Sequence, residues 1–149
     1  MDNMLKEAID FAIEKEQEAV DFYTDLAKKI KHKEIAEEIA KLADMEAGHK
    51  KKLQAIDISD PFWTREHKNQ DLKIADYIVP EEPSAEMNLQ DVLALAMQRE
   101  LAAKRLYTDL AAISSDENVK KMFLTLADEE AEHKNYFERI WDDKVLSEN

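Results

Sequence analysis

The chain carries one nine-residue phrase twice, LADMEAGHK at 42–50 and LADEEAEHK at 126–134. A displacement of 84 positions (130 − 46 = 84) aligns more than these phrases. It lays residues 5–56 on residues 89–140 without a gap, and about a third of the aligned positions are identical. AIEKEQEAVDFYTDLA at 12–27 falls on AMQRELAAKRLYTDLA at 96–111. Self-similarity at a fixed offset marks a duplicated structural unit. Whatever fold one half adopts, the other half must be able to adopt too.

Each half holds two helical patterns. Apolar residues recur at Leu5, Ile9, Ala12, Ala19, Tyr23, Leu26 and Ile30, then at Ile35, Ile39, Leu42, Leu53 and Ile56. In the second half they are Leu89, Leu93, Ala96, Ala103, Tyr107 and Leu110, then Val119, Phe123, Leu126, Phe137 and Ile140. Three- and four-residue steps of this kind make one buried stripe per helix. A single Gly, three Pro and abundant Ala, Glu, Lys and Leu favour four long helices, each of five turns or more. Asn88 is placed to cap the third helix, and Ser114 with Glu117 has capping-box spacing for the fourth. Within each half the connection is short, as antiparallel neighbours require.

Between the halves, at about 57–87, the pattern changes. Pro61, Pro80 and Pro83 punctuate a crossover of short helical or extended pieces. A long link between helices two and three predicts an all-α, ferritin-like four-helix bundle, a single domain of two helix-pair repeats. The apolar crossover residues Phe62, Trp63, Ile74, Tyr77, Ile78 and Val79 either lie along the bundle or meet a second subunit.

Composition excludes several functions. A formal net charge of −13 repels phosphate backbones, so nucleic acid is not an expected partner. With no cysteine there is no disulfide, thiolate metal site or rubredoxin-type module in this chain. No signal peptide or membrane-spanning run is visible, and the expected location is the cytoplasm.

The informative residues are charges inside the stripes. Glu16 stands between Ala12 and Ala19, and Glu100 between Ala96 and Ala103. Glu46 and His49 sit between Leu42 and Leu53, and Glu130 with His133 repeats them. All six side chains should therefore point inward at a similar level. A buried ionised carboxylate costs several kcal/mol even after relaxation, and no inward Lys or Arg set offsets four of them. Two divalent cations would balance −4 with +4 and take the carboxylate oxygens as ligands. One Glu-x-x-His pair alone would be an ordinary surface feature; the duplicated, stripe-centred set predicts a dinuclear metal site.

Glu, then Glu-x-x-His, then Glu, then Glu-x-x-His on four helices resembles the ferritin-like di-iron-carboxylate proteins. The rubrerythrin branch is most similar, since both halves carry the full set and a Tyr follows each first Glu. The resemblance implies Glu16 and Glu100 as terminal ligands, Glu46 and Glu130 as bridges, and His49 and His133 completing the two ends. Tyr23 and Tyr107, two turns beyond their Glu, are either hydrogen-bond donors that orient a ligand carboxylate or aromatic core residues. Two features depart from the family pattern: there is no rubredoxin module, and Met97 and Ala103 cannot supply the extra carboxylate of the third helix.

Other polar residues carry weaker expectations. Asp44 and Asp128 recur but point away from the ligand face. Glu129, four residues before His133, is expected at the surface because its counterpart is Met45. His32 and His67 fall in connections and should be solvated. Gly48, inside a helix between ligands, suggests a helix-packing contact or a small opening beside the metals.

Hard oxygens with two imidazoles suit iron or manganese, while zinc could bind but offers no redox chemistry; the resemblance implies two iron ions. The expected function is a non-haem di-iron oxidoreductase reducing hydrogen peroxide or O₂ in oxidative-stress defence. Electrons would come from a separate donor protein, and the resemblance implies a homodimer. The alternatives are ferrous oxidation with iron sequestration, metal binding without turnover, a zinc-filled or empty structural bundle, and a manganese catalase-like disproportionation.

Overall fold

The computed structural model describes residues 4–56, 72–80, 82–84 and 87–145. Four helices dominate: α1 (Met4–Lys29), α2 (Lys33–Gln54), α3 (Leu89–Ile113) and α4 (Glu117–Ile140). A 3₁₀ turn spans Ile74–Tyr77, and α4 runs on into a π-helical turn at Trp141–Val145. The class is all-α, with no strand among the described residues. Helices α1 and α2 pair with each other, as do α3 and α4, the pairing of a ferritin-like bundle. No described helix is long and apolar enough to cross a membrane.

The chain divides into two compact units, Met1–Leu72 and Lys73–Asn149. Each unit contains one copy of the sequence repeat. In the first, residues 30–32 are all that joins α1 to α2. His32 is exposed, as expected for a connection, and also caps α2: its Nδ1 accepts from Ile35 N–H at 3.5 Å. Leu5, Ala8, Ile9, Ala12, Tyr23 and Leu26 of α1 are buried, with Ile35, Ile39, Ala43 and Leu53 of α2. Ala19, Ile30, Leu42 and Ile56, at the margins of the predicted stripes, are half-buried.

In the second unit residues 114–116 link α3 to α4. Asn88 caps α3 as predicted, its Oδ1 accepting from Asp91 N–H at 2.8 Å. The cap of α4 differs from expectation. Asp116 fills it, its Oδ1 accepting from Asn118 N–H at 2.8 Å and Val119 N–H at 3.2 Å. Ser114 instead ends α3, its hydroxyl donating to Leu110 C=O at 2.7 Å. A carboxylate directly before the first helical residue meets the positive helix terminus better than a hydroxyl two residues further back.

Helix α3 buries more than one stripe. Leu95, Leu106, Ala111 and Ile113 are buried beside the predicted Leu93, Ala96, Tyr107 and Leu110. Part of the widening is explained by the crossover, whose 3₁₀ turn packs on α3. Tyr77 is buried there, and its hydroxyl donates to Asp109 Oδ2 at 2.6 Å. Burial and then the Asp109 acceptor hold the phenol's pKa above its usual value. Further along, Arg99 donates to Glu82 Oε2 at 3.4 Å. The described crossover thus lies along its own helix pair, while Ile78 is exposed. Phe62, Trp63 and His67 lie outside the described residues.

Two substitutions test these local assignments. Asp116→Ala should cost about 1 kcal/mol through the lost cap, read as a lower denaturant midpoint at unchanged slope, with Ser114→Ala costing less. Tyr77→Phe should also cost about 1 kcal/mol by the same measurement, since Asp109 is exposed and can rehydrate.

Candidate metal centre

In the first unit α1 supplies Glu16 and α2 supplies Glu46 and His49. Helical periodicity places Glu16 one turn beyond Ala12 and two turns before Tyr23, on the face those residues bury. Glu46 and His49, three apart, share the inward face of α2 with Ile39 and Leu53. Their exposures are 2%, 1% and 2%, which for charged residues is exceptional. His49 Nδ1 lies 3.6 Å from Glu16 Oε1 and 3.6 Å from Glu46 Oε1. One ligand atom from each of the three falls within 4.8 Å of the others.

The second unit repeats this triad. Glu100 of α3 and Glu130 and His133 of α4 are 2%, 1% and 3% exposed. His133 Nδ1 lies 3.6 Å from Glu100 Oε2 and 3.9 Å from Glu130 Oε1. Here too the three ligand atoms fall within 4.8 Å of one another.

These separations decide between two uses of the groups. Nitrogen–oxygen pairs at 3.6–3.9 Å are too long for good hydrogen bonds. Two atoms each about 2.0–2.2 Å from one ion stand roughly 3–4 Å apart, so the spacing suits shared coordination. The donor set agrees, being carboxylate oxygens with imidazole nitrogens and no sulfur. Two buried Glu/His clusters of this make-up are consistent with a dinuclear metal centre.

All six predicted candidates are thus buried, and each half's three come together. Tyr23 and Tyr107 are buried at 1% each. Tyr107 stacks on Phe123 with centroids 6.3 Å apart, and Tyr23 on Phe22 at 5.5 Å. Asp44 and Asp128 are exposed, pointing away from the ligand face as expected, whereas Glu129 is half-buried rather than at the surface. A Cβ on Gly48 would meet nothing within 4 Å, so no helix-packing contact among the described residues accounts for it. Its repeat counterpart on α4, Glu132, is exposed. Sequence reasoning passed over the residue after each ligand. Lys50 donates to Gln17 Oε1 at 2.7 Å, tying α2 to α1 at the level of the triad.

Comparison with known proteins gives this geometry a family. No protein of curated function matches the chain. Among solved structures, a hypothetical protein from Pyrococcus furiosus is similar, with 27% identity and a TM-score of 0.70. That match covers 93% of this chain and 88% of the other. A family model described as rubrerythrin matches residues 7–141, which take in both triads and nearly all of the four helices. The chain belongs to the rubrerythrin family.

Proposed function

We propose that the two triads together hold two iron ions and that the protein reduces hydrogen peroxide, with O₂ as a second oxidant, in defence against oxidative stress. Glu16, Glu46, His49, Glu100, Glu130 and His133 would hold the ions, with Glu16 and Glu100 as terminal ligands, Glu46 and Glu130 as shared ligands and His49 and His133 completing the two ends. The observation that carries this reading is the duplicated burial of two carboxylates and an imidazole without a buried lysine or arginine among the described residues. The net reaction is H₂O₂ + 2 e⁻ + 2 H⁺ → 2 H₂O, the electrons coming from a separate donor protein. The protein acts in the cytoplasm as a homodimer.

Two ferrous ions held by these residues would supply two electrons together, avoiding a one-electron oxygen radical. The chain's own residues do the rest. The four carboxylates set a charge of −4 that matches two divalent ions. The imidazoles are neutral donors that leave this balance unchanged. Buried Ile9, Ala12, Leu93 and Ala96, one or two turns before the first glutamates, exclude water and strengthen each electrostatic contact. Tyr23 and Tyr107 orient a ligand carboxylate by donating hydrogen bonds and keep a proton close to the reduced oxygen.

Iron oxidation with sequestration is the second reading. The formal net charge of −13 favours it by concentrating ferrous ions at the surface. Stoichiometry separates the two: the first requires two irons per chain and catalytic loss of peroxide, the second requires many irons per chain.

Loading with ferrous ion at about 100 times its Kd should stabilise the fold by about 2.7 kcal/mol for each of the two ions, together a rise in Tm of about 10–20 °C. Anaerobic reconstitution should give about two irons per chain, with peroxide consumption that depends on reductant and is absent from the zinc-loaded protein. His49→Ala should lower the iron content towards one. Tyr23→Phe and Tyr107→Phe should keep the iron and slow turnover by roughly tenfold. Failure to bind any iron, or binding of many irons without peroxide loss, would overturn the proposal.

A further inference from the structure

The two halves agree at every ligand position, so differences beside the ligands show what sets the halves apart. In the first unit Lys50, the residue after His49, crosses from α2 to α1. Its Nζ donates to Gln17 Oε1 at 2.7 Å in a half-buried bond. Gln17 is the residue after Glu16, and its Nε2 donates to Asp21 Oδ1 at 3.0 Å. A lysine can only donate and an ionised aspartate can only accept, so both neighbours demand the same orientation of the Gln17 amide.

The 84-residue shift lays Lys50 on Lys134, Gln17 on Leu101, Asp21 on Arg105 and Gln54 on Glu138. The lysine is kept, but every group it could cross to has changed. Leu101 offers no acceptor and is 44% exposed. Glu138, where the first half has a neutral Gln54, holds Lys134 along its own helix at 3.3 Å. Each half therefore keeps one ammonium beside its histidine, but Lys50 reaches the neighbouring helix whereas Lys134 pairs along its own.

We propose that the Asp21–Gln17–Lys50 chain is a positioning clamp that makes the two metal positions unequal. The position served by Glu16, Glu46 and His49 fills first and holds its ion more tightly. This rests on the dinuclear reading above. An ion fixes the separation of its ligands and must offset the freedom they lose. Helices α1 and α2 are already pinned one residue from Glu16 and one from His49. In α3 and α4 the equivalent lysine gives no such pin, since Lys134 pairs with Glu138 on its own helix.

Cobalt(II) titration of the metal-free full chain tests this, followed by the ligand-field absorbance of the bound ion. The wild type should show two steps of unequal affinity. Gln17→Leu, which copies the second half, should weaken the tighter step about fivefold and leave the other unchanged, an effect the size of one half-buried hydrogen bond. The reverse transplant, Leu101→Gln with Arg105→Asp and Glu138→Gln, should tighten the weaker step by a similar factor. Circular dichroism establishes that each variant is folded, and if Gln17→Leu is not, the transplant decides. Two ions bound with equal affinity in the wild type, or folded variants whose steps do not move, would overturn the clamp while leaving the dinuclear centre standing. No bound cobalt at any ratio removes both.

Discussion

The structure depends on four carboxylates and two imidazoles buried inside its helix pairs. Among the described residues the buried charged and polar side chains are Glu16, Glu46, His49, Glu100, Glu130 and His133, with no lysine or arginine. A buried carboxylate costs several kcal/mol, and a domain of this size is stable by only about 5–15 kcal/mol in total. Two such groups per helix pair would consume much of that margin. The scaffold tolerates them because each pair also buries large apolar side chains, Tyr23, Ile39 and Leu53 in one, Tyr107, Phe123 and Phe137 in the other. Cations then turn the cost into ligation. The acidic surface plays a different part, since its charges are solvated and only bias which ions approach.

Much of this was legible in the sequence because two signals coincide. A stripe at helical period says which positions face inward, and a carboxylate on that stripe violates the usual rule for burial. Glu16 or Glu130 alone would have been ambiguous. The duplication removes the ambiguity, since chance rarely places the same violation at the same register twice. What the sequence hid was governed by short-range competition and by tertiary context. Ser114 and Glu117 satisfy the capping-box pattern, yet Asp116 lies nearer the free N–H groups and wins them. Leu95, Leu106 and Ile113 lie off the predicted stripe of α3, and single-face periodicity cannot foresee a second buried face. Part of that face receives Tyr77, from a segment that carries no repeat signal.

Duplication also sets limits on divergence. The ligand positions must match in both halves or the charge balance fails, whereas flanking positions are constrained only by solubility and helix propensity. Gly48 and Glu132 illustrate the freedom: they occupy equivalent positions, one without a side chain and one charged. Gln17 and Leu101 show that the same freedom can have consequences. Gln17 accepts a hydrogen bond from Lys50 across to α2, whereas Leu101 offers no acceptor to Lys134.

Charge balance bears on turnover as well. With both ions divalent, four carboxylates leave the centre neutral; with both trivalent, two positive charges are in excess. A further carboxylate on α3 would meet part of that excess, but Met97 and Ala103, one turn either side of Glu100, are half-buried and carry no charge. Glu100 is the one buried carboxylate of α3. In the proposed di-iron reading the chain's own charges would match the reduced pair, and the excess of an oxidised pair would be met by hydroxide or by return of two electrons. By this charge balance, such a centre would favour its divalent form more than one with a fifth carboxylate would.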